Sequence, residues 1–448
     1  MNPPTDRLRH DAIAIYGAAV AAVEPRRALT RALATTPPPQ RVRILAMGKA
    51  AFPMAAAAIQ HLDRLDIPVT GGVVITPDQG ESPDPRVRRI AGDHPLPGAG
   101  SFAAAAALEQ AVAQLTGREE AWVLISGGTT SLIGAPIEGL SPVEYDLLMR
   151  ALGRAGLPIG DLNRIRKRFS RWGGGRLAVA CRAERVRAFV LSDVPGDHPA
   201  DIGSGPCEPD PTTASEIRQL LETVRATVEV PEVATRLLDR VIRGDLAETP
   251  KPGDPGLARV ATRVVASNGT ALDGAGERAR ALGYRVIRHP GLIIGDAAGA
   301  GRALVRDALA ADAGTGTAWI AGGETTVALG GSPGRGGRCQ ELALAAAREL
   351  AAAPARRPIV VLAGGTDGRD GPTDAAGAVV DPTTWATIAD RGIDPERALA
   401  GHDAYPALAA AGALLRQGLT GTNVMDVMVA LVGEGTGPQS GSRPLGNR

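Results

Sequence analysis

A chain of 448 residues, 44% hydrophobic and 22% charged, has apolar material for about three units of ~150 residues or two larger ones, and it is not the composition of a disordered segment. Its 49 basic residues against 48 acidic ones leave a formal net charge of +1, which excludes the field that would steer it to nucleic acid or a membrane surface. Three scattered cysteines, Cys181, Cys207 and Cys339, exclude a disulfide framework and a CxxC metal site and fit a reducing cytoplasm.

Only 3% of the residues are aromatic and 57 are glycine, so small side chains must pack closely, as they do where helices cover a sheet. The first element is an Ala-rich stretch, Ala12 to Val23. It begins beside Asp11 and carries Ile13, Tyr16 and Val20 at helical spacing, which predicts an amphipathic helix rather than an export signal. No uncharged apolar segment reaches the ~18 residues of a membrane span. A proline-rich stretch, 35–40, precedes the first strand. Short apolar runs then predict strands at Val42–Met47, Gly72–Thr76, Trp122–Ile125, Ala188–Leu191, Val260–Ala266, Arg285–Ile287, Ala318–Ala321, Ile359–Ala363 and Val427–Val432. Helical segments alternate with them, the pattern of β-α units with parallel strands. The stretch 231–255 ends in TPKPGDPG and has linker composition, which predicts domains at 1–240 and 241–433. The tail, 434–448, has no apolar periodicity and is expected to be disordered.

The strand exits carry the chemistry. They hold Gly48-Lys49, Ser126-Gly127-Gly128-Thr129, Ser192-Asp193, Ser267-Asn268-Gly269, Gly322-Gly323-Glu324 and Gly364-Gly365-Thr366-Asp367. In an open parallel sheet ligands bind at these carboxyl ends, although βα turns also favour Gly and Ser, Thr or Asp for geometry and capping alone. Gly48-Lys49 opens a helix, where an anion would meet free N–H groups, the helix dipole and an ammonium together. Lysine occurs only at 49, 167 and 251, so Lys49 is not a compositional default. The site is not a Walker A loop: Arg43 stands at its first glycine and Ala50 at its Ser or Thr. No GxGxxG follows a strand, which counts against a dehydrogenase.

Further on, Asp193, Asp197, Asp201 and Asp210 surround a Gly-Ser-Gly turn, after a basic stretch with Arg164, Arg166, Lys167, Arg168 and Arg176 that could close on an anion or lie solvated. Glu324 and Arg338 flank a Gly-rich turn, from which an arginine can lie bidentate against carboxylate or phosphate. The segment 359–381 combines freed amides with Asp367, Asp370, Asp374 and Asp381, a pairing suited to a phosphorylated ligand and its metal. Asp367, the first carboxylate after the strand, is the functional candidate; the other three are expected to shape and cap the loop. Thr420, Thr422 and Asn423 add hydrogen-bonding side chains on a late turn. Jointly these parts match phosphoryl transfer, with Lys49 and Arg338 stabilising phosphate or a substrate carboxylate, and Asp193, Glu324 and Asp367 binding Mg2+ or accepting a hydroxyl proton.

The ordered set MGKA, ISGG, NRIRKRFS with GGRLA, SDVPGD, IGSGP with PDPTT, GGET, GGRCQELAL, TDGRDGPTDAAGA and TGTNV resembles the class II glycerate kinase family, whose members carry a carboxy-terminal MOFRL domain. The likeness runs from about Asp11 to Val432. It implies two three-layer α/β/α domains with the active site in the cleft between them. The first is Rossmann-like with a mostly parallel sheet, and the second, with its MOFRL region at about 316–432, has a mixed sheet. It implies ATP- and Mg2+-dependent phosphorylation of D-glycerate, in bacterial relatives usually to 2-phosphoglycerate, by a cytoplasmic enzyme.

Family active-site positions fall on Lys49, Asp193, Glu324, Arg338, Asp367 and Asn423. Gly48, Ser126, Gly127 and Gly128 are then substrate- or nucleotide-binding loops, with Asp193 and Asp367 the metal ligands. A homodimer is expected on frequency alone. Five positions depart from the family pattern: Thr129 stands at the third glycine of the Ser-Gly loop, Gly173 at a frequent lysine, Cys207 at a usual threonine, and Cys339 and Met425 at usual asparagines. Relatives labelled hydroxypyruvate reductase make a nicotinamide-dependent reductase one alternative. The departures make a non-catalytic sugar-phosphate-binding protein another.

Overall fold

The computed structural model describes residues 3–310, 316–330, 334–353 and 357–434, so the expected tail lies, from 435 onward, outside the described residues. Six strands build the first sheet: β1 (Val42–Met47), β2 (Val69–Thr76), β3 (Arg88–Ala91), β4 (Glu120–Ile125), β5 (Arg185–Leu191) and β6 (Val260–Ala266). All pair in parallel in the order β3-β2-β1-β4-β5-β6. This is the Rossmann order, and it reverses direction between β1 and β4. β1 and β4 are buried at every position, as expected of central parallel strands covered on both faces. On one face Leu45, Met47, Val73, Val123 and Val190 pack with Ala104, Leu108 and Val112 of the helix Ala99–Ala113. A separate helical cluster joins Pro142–Arg154, Ile159–Phe169, Ala214–Arg225 and Glu232–Ile242 around Tyr145, Leu148, Phe169, Leu221 and Leu237.

The second sheet contains β7 (Arg285–Arg288), β8 (Ile293–Asp296), β9 (Thr317–Thr326), β10 (Ile359–Gly365), β11 (Gly377–Val380), β12 (Leu414–Leu415) and β13 (Asp426–Val432). Its order is β12-β11-β10-β13-β9-β7, with β8 also on β9. The sheet is mixed: β13 runs antiparallel to both β9 and β10, while β7 and β8 run parallel to β9. β3, β8, β11 and β12 were not expected from the sequence; at two to four residues each they are too short to show a period.

The chain forms two compact units, Glu24–Ser267 and Asn268 onward together with the residues up to Val23. The sequence placed the boundary at 240/241, but the strand after the TPKPGDPG segment returns along β5 and completes the first sheet. The amino-terminal helix, Pro3–Ala22, belongs to the second unit, where the buried Tyr16 hydroxyl donates to the Gly365 carbonyl at 2.6 Å and Asp11 accepts from the Tyr284 hydroxyl at 2.6 Å. Arg9 and Asp381 form an ion pair at 2.7 Å. Among the described residues no helix is long and apolar enough to cross a membrane.

Because the Tyr16 hydroxyl is buried and fixed on a strand end, Tyr16→Phe is expected to lower the unfolding free energy by about 1 kcal/mol, the typical net value of such a hydrogen bond, as read from urea denaturation.

Candidate functional site

In the first unit the exits of β1 and β4 meet where the strand order reverses. Gly48 has φ +120°, and a Cβ there would stand 2.1 Å from Ser126 Oγ and 2.6 Å from its carbonyl, so only glycine lets the two loops touch. Two bonds clip them together: the Ala50 N–H donates to Ser126 Oγ at 3.0 Å, and the Lys49 N–H to the Gly127 carbonyl at 2.9 Å. The Lys49 side chain is exposed just before the helix Ala51–Arg64. From β5 the half-buried Asp193 reaches the same place; a Cβ on Gly127 would lie 2.0 Å from its Oδ2, so the carboxylate rests on bare backbone. Burial raises the Asp193 pKa, with the Lys49 charge opposing.

Gly48, Lys49, Ser126, Gly127, Gly128 and Asp193 thus form one constellation. The sequence missed a further member, His94, whose ring would lie 3.1 Å from a Cβ on Gly128. Burial and then Lys49 lower the His94 pKa. It follows β3, a strand without a readable pattern, which is why it went unnoticed.

Thr129 is fully buried, its hydroxyl 2.9 Å from the Met47 carbonyl and 2.7 Å from that of Ser126. Its side chain therefore braces the loop from inside. The basic stretch divides: Arg164 is part-exposed and pairs with Asp161 at 3.2 Å, whereas Arg168 is buried against Glu248 and Asp210 and donates to the Thr212 carbonyl at 2.7 Å. Arg176 donates to the carbonyls of Lys167 at 3.2 Å and Ser170 at 3.0 Å, with burial lowering its pKa to about 10. Asp210 is spent in the same network, accepting the Thr249 hydroxyl at 3.0 Å. Of the four aspartates around the Gly-Ser-Gly turn, Asp193 alone joins the loops of β1 and β4.

In the second unit the antiparallel β13 brings its first residue, Asp426, level with Gly323 of β9 and Gly365 of β10. Asp426 is fully buried and holds Arg338 in a fork, Nε at 2.6 Å and Nη2 at 2.9 Å. Arg338 Nη1 lies 3.0 Å from Glu324 Oε1, so the two predicted residues are joined through one guanidinium. Burial raises the Asp426 pKa, the Arg338 contact opposing it.

Arg338 begins the helix Arg338–Ala352, whose Cys339 and Gln340 N–H groups are capped by Asp370 at 3.1 and 2.8 Å. Asp367 is half-buried, one oxygen accepting the Arg369 N–H at 3.0 Å. Asn423 Oδ1 accepts the Met425 N–H at 3.1 Å, and Met425 itself holds φ +69° because Thr366 binds its carbonyl twice, at 3.1 and 2.6 Å. Asp381 caps the turn at Thr383 and Thr384, while Asp374 is exposed and bonded to Tyr405 and Arg416. The sequence missed Asp426, although an acid opening a seven-residue buried strand is a visible signal. Among the described residues no three His, Cys, Asp or Glu side chains converge into a metal cage.

The family model described as a domain of unknown function, DUF4147, matches residues 11–239, and that of the MOFRL family matches 317–426. A D-glycerate 2-kinase of Thermotoga maritima is 35% identical over 433 residues, covering 95% of this chain and 99% of that protein. An Agrobacterium vitis protein, provisionally named a hydroxypyruvate reductase, is 35% identical over 425 residues, covering 94% and 93%. The crystal structure of a glycerate kinase from Thermotoga maritima superposes with a TM-score of 0.84 at 34% identity, covering 95% of this chain and 100% of that one.

Burial pushes the Asp370 carboxyl up to about 7, against the pull of the Gln340 and Cys339 N–H groups. The folded state therefore binds the Asp370 proton more tightly than the unfolded chain, whose value is ~3.9. The contribution is fully present below the unfolded value and is lost as pH rises through about 7. Asp370→Asn is expected to flatten that part of the stability–pH curve, as followed by denaturation midpoints across the interval.

Proposed function

The chain belongs to the glycerate kinase family that joins a DUF4147 domain to a MOFRL domain, and from that membership we infer that it phosphorylates D-glycerate with ATP, giving 2-phospho-D-glycerate. The observation that carries the chemistry is the pair of clipped loops at the strand-order reversal. There the exposed Lys49 has its N–H on the Gly127 carbonyl and its Cγ 3.5 Å from where a Cβ on Gly128 would stand, and its charge acts on Asp193 and His94.

Phosphoryl transfer asks a protein to position donor and acceptor and to neutralise charge. We assign Lys49, with the amides of Gly127 and Gly128, to the anionic phosphoryl groups; the amides of Gly48 and Ser126 already donate to the Ile75 and Met47 carbonyls, each at 3.1 Å, so those two residues shape the loops rather than bind through their N–H groups. Arg338, oriented by Asp426, is the cation we assign to an anionic oxygen of substrate or nucleotide, which would share its Nη1 with Glu324, and Asn423 supplies a further polar contact. Asp193, whose pKa burial raises, is the better placed of the carboxylates to accept the proton of the attacking hydroxyl. Mg2+ is held by one or two carboxylates together with phosphate oxygens and water, so a three-ligand cage is not required, and Asp193 in the first unit or Asp367 in the second is the carboxylate we propose for it, each on the geometry of its own unit. When bound, Mg2+ supplies charge neutralisation at the phosphoryl oxygens.

Purified protein given ATP, Mg2+ and D-glycerate is expected to form ADP and a phosphoglycerate whose position phosphorus NMR identifies. Lys49→Ala and Arg338→Ala are each expected to lower kcat/KM by about a hundredfold or more, the scale of losing one charged transition-state contact. ADP formation no faster than in the Lys49→Ala control defeats the assignment.

The Rossmann strand order, together with the name given to the Agrobacterium vitis relative, favours a hydroxypyruvate reductase. The loop after β1 speaks against it, since Gly48-Lys49 closes on Ser126 where a dinucleotide fold carries a glycine-rich pyrophosphate turn. NADH absorbance is expected to stay flat on addition of hydroxypyruvate.

A further inference from the structure

A polar cavity lies at the other end of the first sheet. It is a groove of about 580 Å3 at the amino-terminal ends of β1, β2 and β3, whereas Lys49 and Ser126 follow the carboxyl ends of β1 and β4. Its floor is set by register. Arg43 of β1 pairs with Gly71 of β2, and Val73 pairs with Arg88 of β3, so alternation puts all four on one face. Its wall is the helix Ala99–Ala113 and its cap residue, which present Ala107, Gln110, Ala111 and Gln114 at the i, i+3, i+4, i+7 spacing of a single stripe.

The polar lining is rich in donors. Arg43, Arg86, Arg88, Thr70, Gln110 and Gln114 line the groove and no carboxylate does. Arg43 is the unusual member, a guanidinium only 8% exposed near the start of a buried strand. Its Nη1 donates to Gln114 Oε1 at 3.0 Å and Nη2 to the Thr70 carbonyl at 3.3 Å; Nε has no hydrogen-bond partner, the Glu119 carboxylate standing 3.9 Å away. The buried Glu119 balances the charge of Arg43, and what is left unmet is the single Nε donor, a buried polar group whose desolvation packing alone does not offset.

Gly71 makes room for it. At φ +134° a Cβ there would stand 3.0 Å from Arg43 Nη1, and a glycine inside a strand is otherwise a weakness. Arg86 is already committed, to Asp63 at 2.7 Å and Asp84 at 2.8 Å. Arg88 is exposed and enters no ion pair among the described residues.

We propose that this groove is a binding site for a small oxyanion-bearing metabolite, held by Arg43 and Arg88 with the amides of Gln110 and Gln114, separate from the kinase loops. A planar guanidinium on each of two neighbouring levels of the sheet suits phosphate or carboxylate oxygens, and the volume admits a molecule of metabolite size. The proposal does not depend on the assigned kinase reaction.

The test is calorimetric titration of the full chain with inorganic phosphate and, separately, with citrate, on the wild type and on Lys49→Ala. At least one anion is expected to bind one per chain, with the same affinity in Lys49→Ala. Arg88→Glu removes the exposed cation, and Gln110→Trp fills the groove from an exposed helix position; each is expected to weaken that binding about tenfold or more while keeping the wild-type unfolding midpoint. Binding of phosphate alone identifies a phosphate monoester as the ligand class, and binding of citrate alone a polycarboxylate. Absence of heat from either anion up to about 10 mM overturns the proposal. So does unchanged binding in both variants, or loss of binding in Lys49→Ala.

Discussion

In the first unit everything rests on how closely two backbones approach. β1 and β4 are neighbours from which the strand order runs in opposite directions, so their exits face a gap that neither connection fills. The gap is bridged because Gly48 has no side chain: with a Cβ at 2.1 Å from Ser126 Oγ the loops could not be clipped by the Ala50 and Lys49 amides. The same economy recurs at Gly127, where the missing side chain is the space that Asp193 occupies. Lys49 and Asp193 come from different strands, and neither position survives a shift of the other's loop. A displacement of about 1 Å is enough to lose most of the benefit of positioned charges.

The second unit reaches a comparable result by another topology. An antiparallel strand inserted between two parallel ones delivers its amino terminus to their carboxyl ends, and here that residue is the fully buried Asp426. A carboxylate without solvent has to be neutralised where it stands, and the fork of Arg338 does so. The pair contributes little net stability compared with apolar packing, but it fixes the direction of the guanidinium and thereby the face offered beyond Glu324. Asp370 completes the arrangement by capping the helix that Arg338 begins, so its burial and its raised pKa follow from a structural duty.

What was legible in the sequence was what a local pattern can encode. β1, β4, β10 and β13 are mostly apolar because both faces are covered, with Arg43, Glu120 and Asp426 the charged residues at or near their starts, and the exits of β1, β4 and β10 stand out because glycine beside a donor or acid interrupts such runs. Partnerships across the chain were not legible. Nothing local says that β13 is antiparallel, and that direction is what promotes Asp426. Nothing in the linker-like 231–255 says that the next strand returns to the first sheet, nor in the opening helix that Tyr16 will seat on Gly365. The basic stretch around Arg168 misleads for the same reason: its partners, Asp210 and Glu248, lie 42 and 80 positions away, so a charge run looks solvated until the chain is folded.

The departures from the family pattern acquire a different meaning once located. Thr129, Cys207, Cys339 and Met425 are at most 2% exposed, and Gly173 is buried as well. Thr129 illustrates the point: its extra carbons enter the core beneath the Ser-Gly loop, while the hydroxyl ties that loop to the Met47 carbonyl. Met425 is the costlier exchange, because a left-handed backbone suits asparagine or glycine better, and it is held there by Thr366 and by complete burial of its side chain. Exchanges of this kind redistribute packing energy inside the units. They leave Lys49, Asp193, Glu324, Arg338, Asp367 and Asn423 with their polar groups in place, and a loss of catalysis would have to strike there first. Of the five, Cys339 stands nearest the chemistry, since its thiol is hydrogen-bonded to Asp426, the carboxylate that orients Arg338.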